Sequence, residues 1–490
     1  MWFWFTKRRL ASALSLGGLA LQVATPANNA APINAAVPVN KPAVTKSAPK
    51  AKETRAFPNK KVTSPRSTVA RRAVRRTIIP LGSTQRVNQA TRIEAREGVL
   101  KKVANGMDLP IENSAALIPF FEQLYRHQKG DVPGPIRVLH YGDSHTAADE
   151  LTGSMREQFQ QAFGDGGAGY SFAGRPWNGY RRLDVKTGAT NGWYSDGLVG
   201  RTGDGKYGLG GVSVTAKRAH ESVYLVADGQ SFELFYLKQP GGGEVAVYDN
   251  GALIDQFSTS GDQSEPAYLH YDAEAGQHKL EVETLDAYPV RLFGWVAEKA
   301  TGVTYETLGI NGAEAAMMLG WDAAILRSNI ERRNPALIAV AFGTNEAGHR
   351  DLTVDGYRDL YLRLIHRLRE DAPTATILIV GPPDREGYSR RAGWVAMDTL
   401  DTIVEAQRQA ALAAGCAFWD QRDKMGGKGA MRQWVQAGMA QYDHVHFTVA
   451  GYRMIGSALY RDVMSQYEVF LKARGELAAV SVGTAVEAGQ

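Results

Sequence analysis

The sequence predicts a three-layer α/β domain built on a parallel sheet and interrupted by an all-β insertion. Two patterns predict it. Apolar strands alternate with helical periodicity over residues 114–163 and again over 303–471. Between them the helical period vanishes, and short strand-like runs are separated by turn residues. Continuous apolar strands between helices are what a parallel sheet covered on both faces requires.

The elements follow in order. A helix is expected from Ser114 to about His127, capped by Asn113 or Ser114. Ile136–His140 reads as a strand that ends in Tyr141-Gly-Asp-Ser144-His-Thr, and a helix follows from about Asp149 to Phe163. Leu337–Phe342 is a continuous apolar run. Tyr357, Leu360, Tyr361, Leu364, Ile365 and Leu368 then recur at helical spacing. Ile377–Val380 reads as a buried strand, Asp398–Ala413 as a helix, Cys416–Trp419 as a short strand, and Thr448 to about Leu471 as the last helix. In the middle, strands are expected at Val223–Val226, Phe232–Leu237, Val245–Tyr248, Ala252–Phe257, Tyr268–Tyr271, Leu280–Thr284 and Val290–Val296. Asp249-Asn250-Gly251 is a hairpin signal between two of them. Their spacing suggests an inserted β-sandwich of about 100 residues.

Composition narrows the class. Hydrophobic residues are 44% and charged residues 22% of 490, which excludes a wholly disordered, collagen-like or coiled-coil chain. The single cysteine, Cys416, excludes an intrachain disulfide and a cysteine-built metal cluster. Residues 1–80 hold 15 Lys and Arg against one acid, Glu53, while the other 410 residues carry 41 basic and 50 acidic side chains. The body is therefore mildly acidic, which argues against nucleic-acid binding. Lys7-Arg8-Arg9 precedes an apolar run, Leu10–Leu21, and a small-residue exit at Ala24 or Ala30. This is the pattern of an export signal, and the aromatics Trp2–Phe5 leave an uncleaved anchor open. Eight of the 20 prolines lie in the first 80 residues, so a Pro/Ala-rich basic linker is expected. Its cluster Arg71-Arg72…Arg75-Arg76 could touch a membrane surface or an anionic polymer, or simply be solvated. The expected organisation is a signal or anchor at 1–24, linker at 25–100, the two parts of the α/β domain at 101–180 and 303–475, the β insertion at 181–302, and a tail at 476–490.

Four segments sit where strands of a parallel sheet should end, the side on which such sheets bind ligands. Gly142-Asp-Ser-His145 places Ser144 between a strand and a helix N-terminus. Leu308-Gly-Ile-Asn-Gly312-Ala and Phe342-Gly343-Thr-Asn345-Glu-Ala each offer an oxyanion donor. Tyr442-Asp443-His-Val-His446-Phe-Thr offers a carboxylate three residues before an imidazole. At that spacing Asp443 can hold one ring nitrogen of His446 while the other accepts the Ser144 proton.

In this order the blocks resemble the SGNH/GDSL hydrolases. The longer strings Gly142-Asp-Ser-His-Thr-Ala-Ala-Asp149 and Asp443-His-Val-His-Phe-Thr448 are closest to the peptidoglycan O-acetylesterase branch, whose members carry a carbohydrate-binding-module-like domain inside the hydrolase fold. The resemblance covers roughly residues 110–470. It implies an SGNH-hydrolase fold in which Ser144 is the nucleophile, His446 the general base and Asp443 its orienting group. The implied oxyanion hole is the backbone N–H of Ser144 and Gly312 with the side-chain amide of Asn345. Glu346 stands where the commoner pattern has Asp, a departure shared with that branch. It implies an exported esterase, in the periplasm or cell envelope, acting on an acetylated glycan, above all the 6-O-acetyl group of muramic acid. Rival readings are an esterase or acetyltransferase of an acetylated exopolysaccharide such as cellulose, and a non-catalytic glycan-binding protein. No cofactor and no metal are expected. Beside these residues, His145, His444 and His349 are candidates for the cleft, Trp177, Tyr180, Trp193 and Tyr194 for stacking on sugars, and His140 and Cys416 for the core.

Overall fold

The computed structural model describes residues 88–104, 110–201 and 203–475. The expected export signal, most of the expected linker and the expected tail lie outside these residues. No described helix is long and apolar enough to cross a membrane.

The described residues form a central sheet of five parallel strands: β1 (Gly134–Gly142), β2 (Thr301–Gly309), β3 (Leu337–Ala341), β4 (Thr376–Val380) and β5 (Ala417–Trp419), in the order β2-β1-β3-β4-β5. Side chains alternate across it, as the two-residue period of a strand demands. Leu139, Tyr141, Ile338, Val340, Ile377 and Ile379 face one core, shared with helices Ala323–Arg333, Val354–Asp371 and Thr399–Ala413. Val138, Leu337, Leu378 and Val380 face the other, shared with helices Ile118–Gln128, Glu150–Phe163 and Val449–Ala473. Phe159 is fully buried there, edge-on to Phe120 and Tyr460. Truncating such a ring costs about 3–5 kcal/mol. The free edge of β5 is covered by Glu112, whose backbone exchanges hydrogen bonds with Phe418 at 2.9 and 3.1 Å. The chain leaves β1 to one side and β3 to the other, so a crevice opens at their carboxyl ends.

The insertion leaves after helix Glu150–Phe163 and returns at β2. Its two ends touch: Val303 N–H donates to Gly164 O at 2.9 Å and Gly166 N–H to Val303 O at 3.2 Å. Strand Gly169–Phe172 already pairs with Val290–Glu298, so the insertion starts near residue 165 and not at 181. All four residues of that strand are buried, which leaves no polar–apolar alternation to read in the sequence. The two layers belong to one antiparallel sheet. The runs expected at 223–226 and 232–237 are a single strand, Ser222–Lys238, and those at 268–271 and 280–284 are a second, Glu265–Thr284. The register shifts between Gly229 and Ser231, and the halves on either side pack on each other through Leu225, Val282, Leu234 and Trp295. Phe235, Leu237, Phe293 and Val296 point the other way, into the α/β core.

The N-terminal boundary also shifts. Helix Gln89–Ala104 occupies the end of the expected linker. Its buried residues Ala95, Val99 and Val103 form a stripe one residue wide that joins Met431 and Trp434. So narrow a stripe among charged residues does not stand out from linker composition. The helix expected from Ser114 begins as a 3₁₀ turn, Ser114–Leu117. Asn113 does not cap it, because its side chain donates to Cys416 O.

Candidate active site

Three loops meet at the carboxyl ends of β1, β2 and β3. Ser144 opens the short helix Ser144–Ala147, and Asp143 caps it by accepting the His145 N–H at 2.9 Å. The β2 loop lies alongside: Ile310 N–H donates to Gly142 O at 3.0 Å. Gly309 is obligatory here, since a Cβ on it would stand 2.2 Å from Ala147 N. Gly312 follows with φ +78°, a conformation that favours glycine. Asn345 ties the third loop to the second by donating from Nδ2 to Ala313 O at 2.8 Å. Among the described residues no other group accepts the second N–H of that amide.

His446 comes from the turn before the last helix, Val449–Ala473, which Thr448 caps. Its Nε2 stands 2.9 Å from Ser144 Oγ, and its Nδ1 2.7 Å from Asp443 Oδ2. Asp443 Oδ1 also accepts the backbone N–H groups of Val445 and His446, each at 3.0 Å. Partial burial works to raise the Asp443 pKa, but the bonds from His446 and the two backbone groups outweigh it and hold the carboxyl below its ordinary range. An ionised carboxylate only accepts, so Nδ1 carries the ring proton and Nε2 presents a lone pair to the serine hydroxyl.

A sequence profile of the GDSL-like lipase/acylhydrolase family matches residues 272–454. That span includes Gly312, Asn345, Asp443 and His446, and starts downstream of Ser144 on the far side of most of the insertion. A solved structure described as a peptidoglycan O-acetylesterase in action is 26% identical, superposes with a TM-score of 0.62, and covers 72% of this chain and 96% of its own. The chain is an ester hydrolase with the SGNH fold. A family two carbohydrate esterase from Cellvibrio japonicus is 12% identical over 58% of this chain and 99% of its own, and its TM-score of 0.27 is too low to carry an argument. A search of curated proteins found no match.

The hydrolase has a cleft of about 370 Å³ beside Ser144 and His446. Its walls include Trp177, Gly179 and Arg181 from the insertion, and Glu150, Asn311, Gln441 and Tyr452 from the α/β part. Glu346 is buried. Its Oε1 accepts the Ala315 N–H at 2.9 Å and the Tyr357 hydroxyl at 2.8 Å, which anchors the end of the Gly312 loop. Burial pushes the Glu346 pKa up to about 7 and that of Asp143 up to about 6.

The other candidates fall into place around this frame. His145 is buried against His446, Phe447 and Tyr452, and burial, with His446 beside it, brings its pKa down to about 3. His444 stacks on Trp394 at 4.0 Å and bonds Glu386 at 2.5 Å. Exposed His349 bonds Glu314. None of these three lines the cleft. His140 is buried and bonds the Tyr305 hydroxyl at 2.8 Å, and Cys416 is buried. Among the aromatics, Trp177 is in the cleft, Tyr180 is buried, Trp193 packs half-buried on the insertion's core, and Tyr194 is exposed under Lys217. Glu150 and Arg181 were not singled out from the sequence. Their place in the cleft depends on long-range packing that leaves no local signal.

Proposed function

We propose that this hydrolase is an exported serine esterase that removes O-acetyl groups from a glycan, specifically the 6-O-acetyl group of muramic acid in peptidoglycan. The observation that carries the reading is the hydrogen-bonded chain Ser144–His446–Asp443 at the edge of an open cleft. Likeness to the peptidoglycan O-acetylesterase structure supports the substrate. The charged, apolar and small-residue pattern of residues 1–24 supports export, and peptidoglycan lies outside the cytoplasmic membrane.

Ser144 Oγ attacks the acetyl carbonyl as His446 Nε2 takes its proton. The developing oxyanion is met by the N–H groups of Ser144 and Gly312 and by the Asn345 amide. The bond from acetyl carbon to the glycan oxygen breaks, and His446 returns the proton to that oxygen. Water then attacks the acetyl-serine, again with His446 as base, and acetate leaves. The purified protein should release acetate from O-acetylated peptidoglycan with higher kcat/KM than from acetylated cello-oligosaccharides. The reverse ranking would move the substrate to an exopolysaccharide. Release from neither, with an aryl acetate also untouched, would remove the esterase reading.

A further inference from the structure

The sequence string that begins at Gly142 ends in Asp149, which the catalytic arrangement leaves without a role. Asp149 is fully buried in a left-handed conformation, φ +56°. It accepts two bonds from Arg156, at 2.9 and 3.2 Å, one from Thr307 at 2.5 Å, and one from the backbone N–H of Leu183 at 2.6 Å. Arg182, also buried, bonds Asp184 at 2.7 Å and the Tyr170 carbonyl at 3.1 Å. Residues 182–184 of the insertion are thus locked to the turn that carries Ser144. The next residue upstream is Arg181.

Arg181 lines the cleft with Ser144 and His446, and its side chain is half exposed. Its Nε donates to Ala148 O at 3.1 Å. Its Nη2 lies 3.4 Å from Glu150 Oε1, an ion pair without a close hydrogen bond. Among the described residues no other group takes its remaining N–H donors. A guanidinium fixed at its Nε end, with free outer donors in a cleft, suits a planar anion that it can bond through two nitrogens. Neutral hydroxyls need no such charge.

We propose that Arg181 binds a carboxylate of the acetylated glycan and so selects acidic over neutral glycans. The inference rests on the glycan-esterase reading above. In peptidoglycan the carboxylate belongs either to the lactyl group of the sugar or to the attached peptide, and acetylated cellulose has neither. Glu150 tempers the charge, so its removal should strengthen the preference.

The test compares kcat/KM for acetate release on three substrates: O-acetylated peptidoglycan strands, the same strands stripped of peptide, and acetylated cello-oligosaccharides. Arg181→Gln should lower the ratio of acidic to neutral activity roughly tenfold, the scale of one charge-assisted hydrogen bond. Arg181→Lys should restore part of it, and Glu150→Gln should raise it. The strand, peptide-bearing or stripped, on which the ratio falls identifies the carboxylate. Equal loss on all three, or no change in the ratio, overturns the proposal. A lowered ratio in Glu150→Gln also overturns it, because the pair would then be reading a neutral amide. A wild-type protein inactive on both peptidoglycan forms overturns the substrate reading instead, and Arg181 is then judged on acetylated pectin fragments, which carry uronic carboxylates.

Discussion

Asp443→Asn replaces one oxygen by a nitrogen and should reverse the polarity of the proton relay. Asp443 Oδ1 accepts two backbone N–H groups and Oδ2 accepts the His446 ring. In the variant the amide oxygen keeps the two backbone donors, and the NH₂ group faces Nδ1. A donor there forces Nδ1 to accept, so the ring proton moves to Nε2, which stands 2.9 Å from the Ser144 hydroxyl. Neither nitrogen can then take the serine proton. The charge lost is a small part of the effect, because the Asp443 and His446 side chains are 45% and 35% exposed. At that exposure the ionic attraction is worth about 1 kcal/mol or less. The tautomer change is not screened, and in a serine protease triad it lowers kcat about 10⁴-fold. A fall in kcat of about 10³–10⁴ is expected here, or roughly 4–5.5 kcal/mol. The loop keeps both backbone bonds, so Tm near neutral pH should change little. Because the Asp443 carboxyl is held below its ordinary range, its contribution to stability is present above the unfolded carboxylate pKa and lost as pH falls through the folded value. The Asn variant should lack that acid-side loss. Aryl acetate kinetics with thermal melts reads all of this. A loss below about tenfold with the fold intact would refute the reasoning.

Asn345→Ala should lower kcat by about 10²–10³ with little change in KM, since the amide meets a charge present only in the transition state. A near-normal kcat would place the donor elsewhere. Glu346 has a folded pKa of about 7, raised by burial, so the folded state holds its proton longer than the unfolded state does. Stability should therefore fall as pH rises from the ordinary carboxyl range to about 7, by roughly 3 kcal/mol if this group acts alone. Glu346→Gln should flatten that decline in denaturant melts across the window. An unchanged slope would assign the decline to Asp143, which shifts the same way. Trp193→Ala should lower stability by about 1–3 kcal/mol, because the ring packs on the insertion's core. A variant as stable as wild type but weaker on glycan would return Trp193 to a binding role.

The parallel sheet was legible because its strands are continuous apolar runs and its helices keep their period. Ser144, Gly312, Asn345, Asp443 and His446 could be placed because each follows a strand or precedes a helix whose ends are readable. The structure brings Ser144, His446 and Asp443 into one hydrogen-bonded chain and links the loops of Gly312 and Asn345. The insertion was harder. Strand Gly169–Phe172 is buried on both faces, and the two long strands each read as two because they cross a bend. Helix Gln89–Ala104 buries too little to stand out from the linker before it. Arg181 owes its place to Asp149 and Leu183, one from each part of the fold, and no local window contains both.

The central claim is that Ser144 carries the acetyl group between glycan and water. The most direct measurement is mass spectrometry of peptides from protein quenched during turnover of an acetyl ester. It should find an acetyl adduct on Ser144, lost in Ser144→Ala together with acetate release. Turnover persisting in Ser144→Ala at even a tenth of the wild-type rate, or an adduct mapped to another residue, would contradict the account.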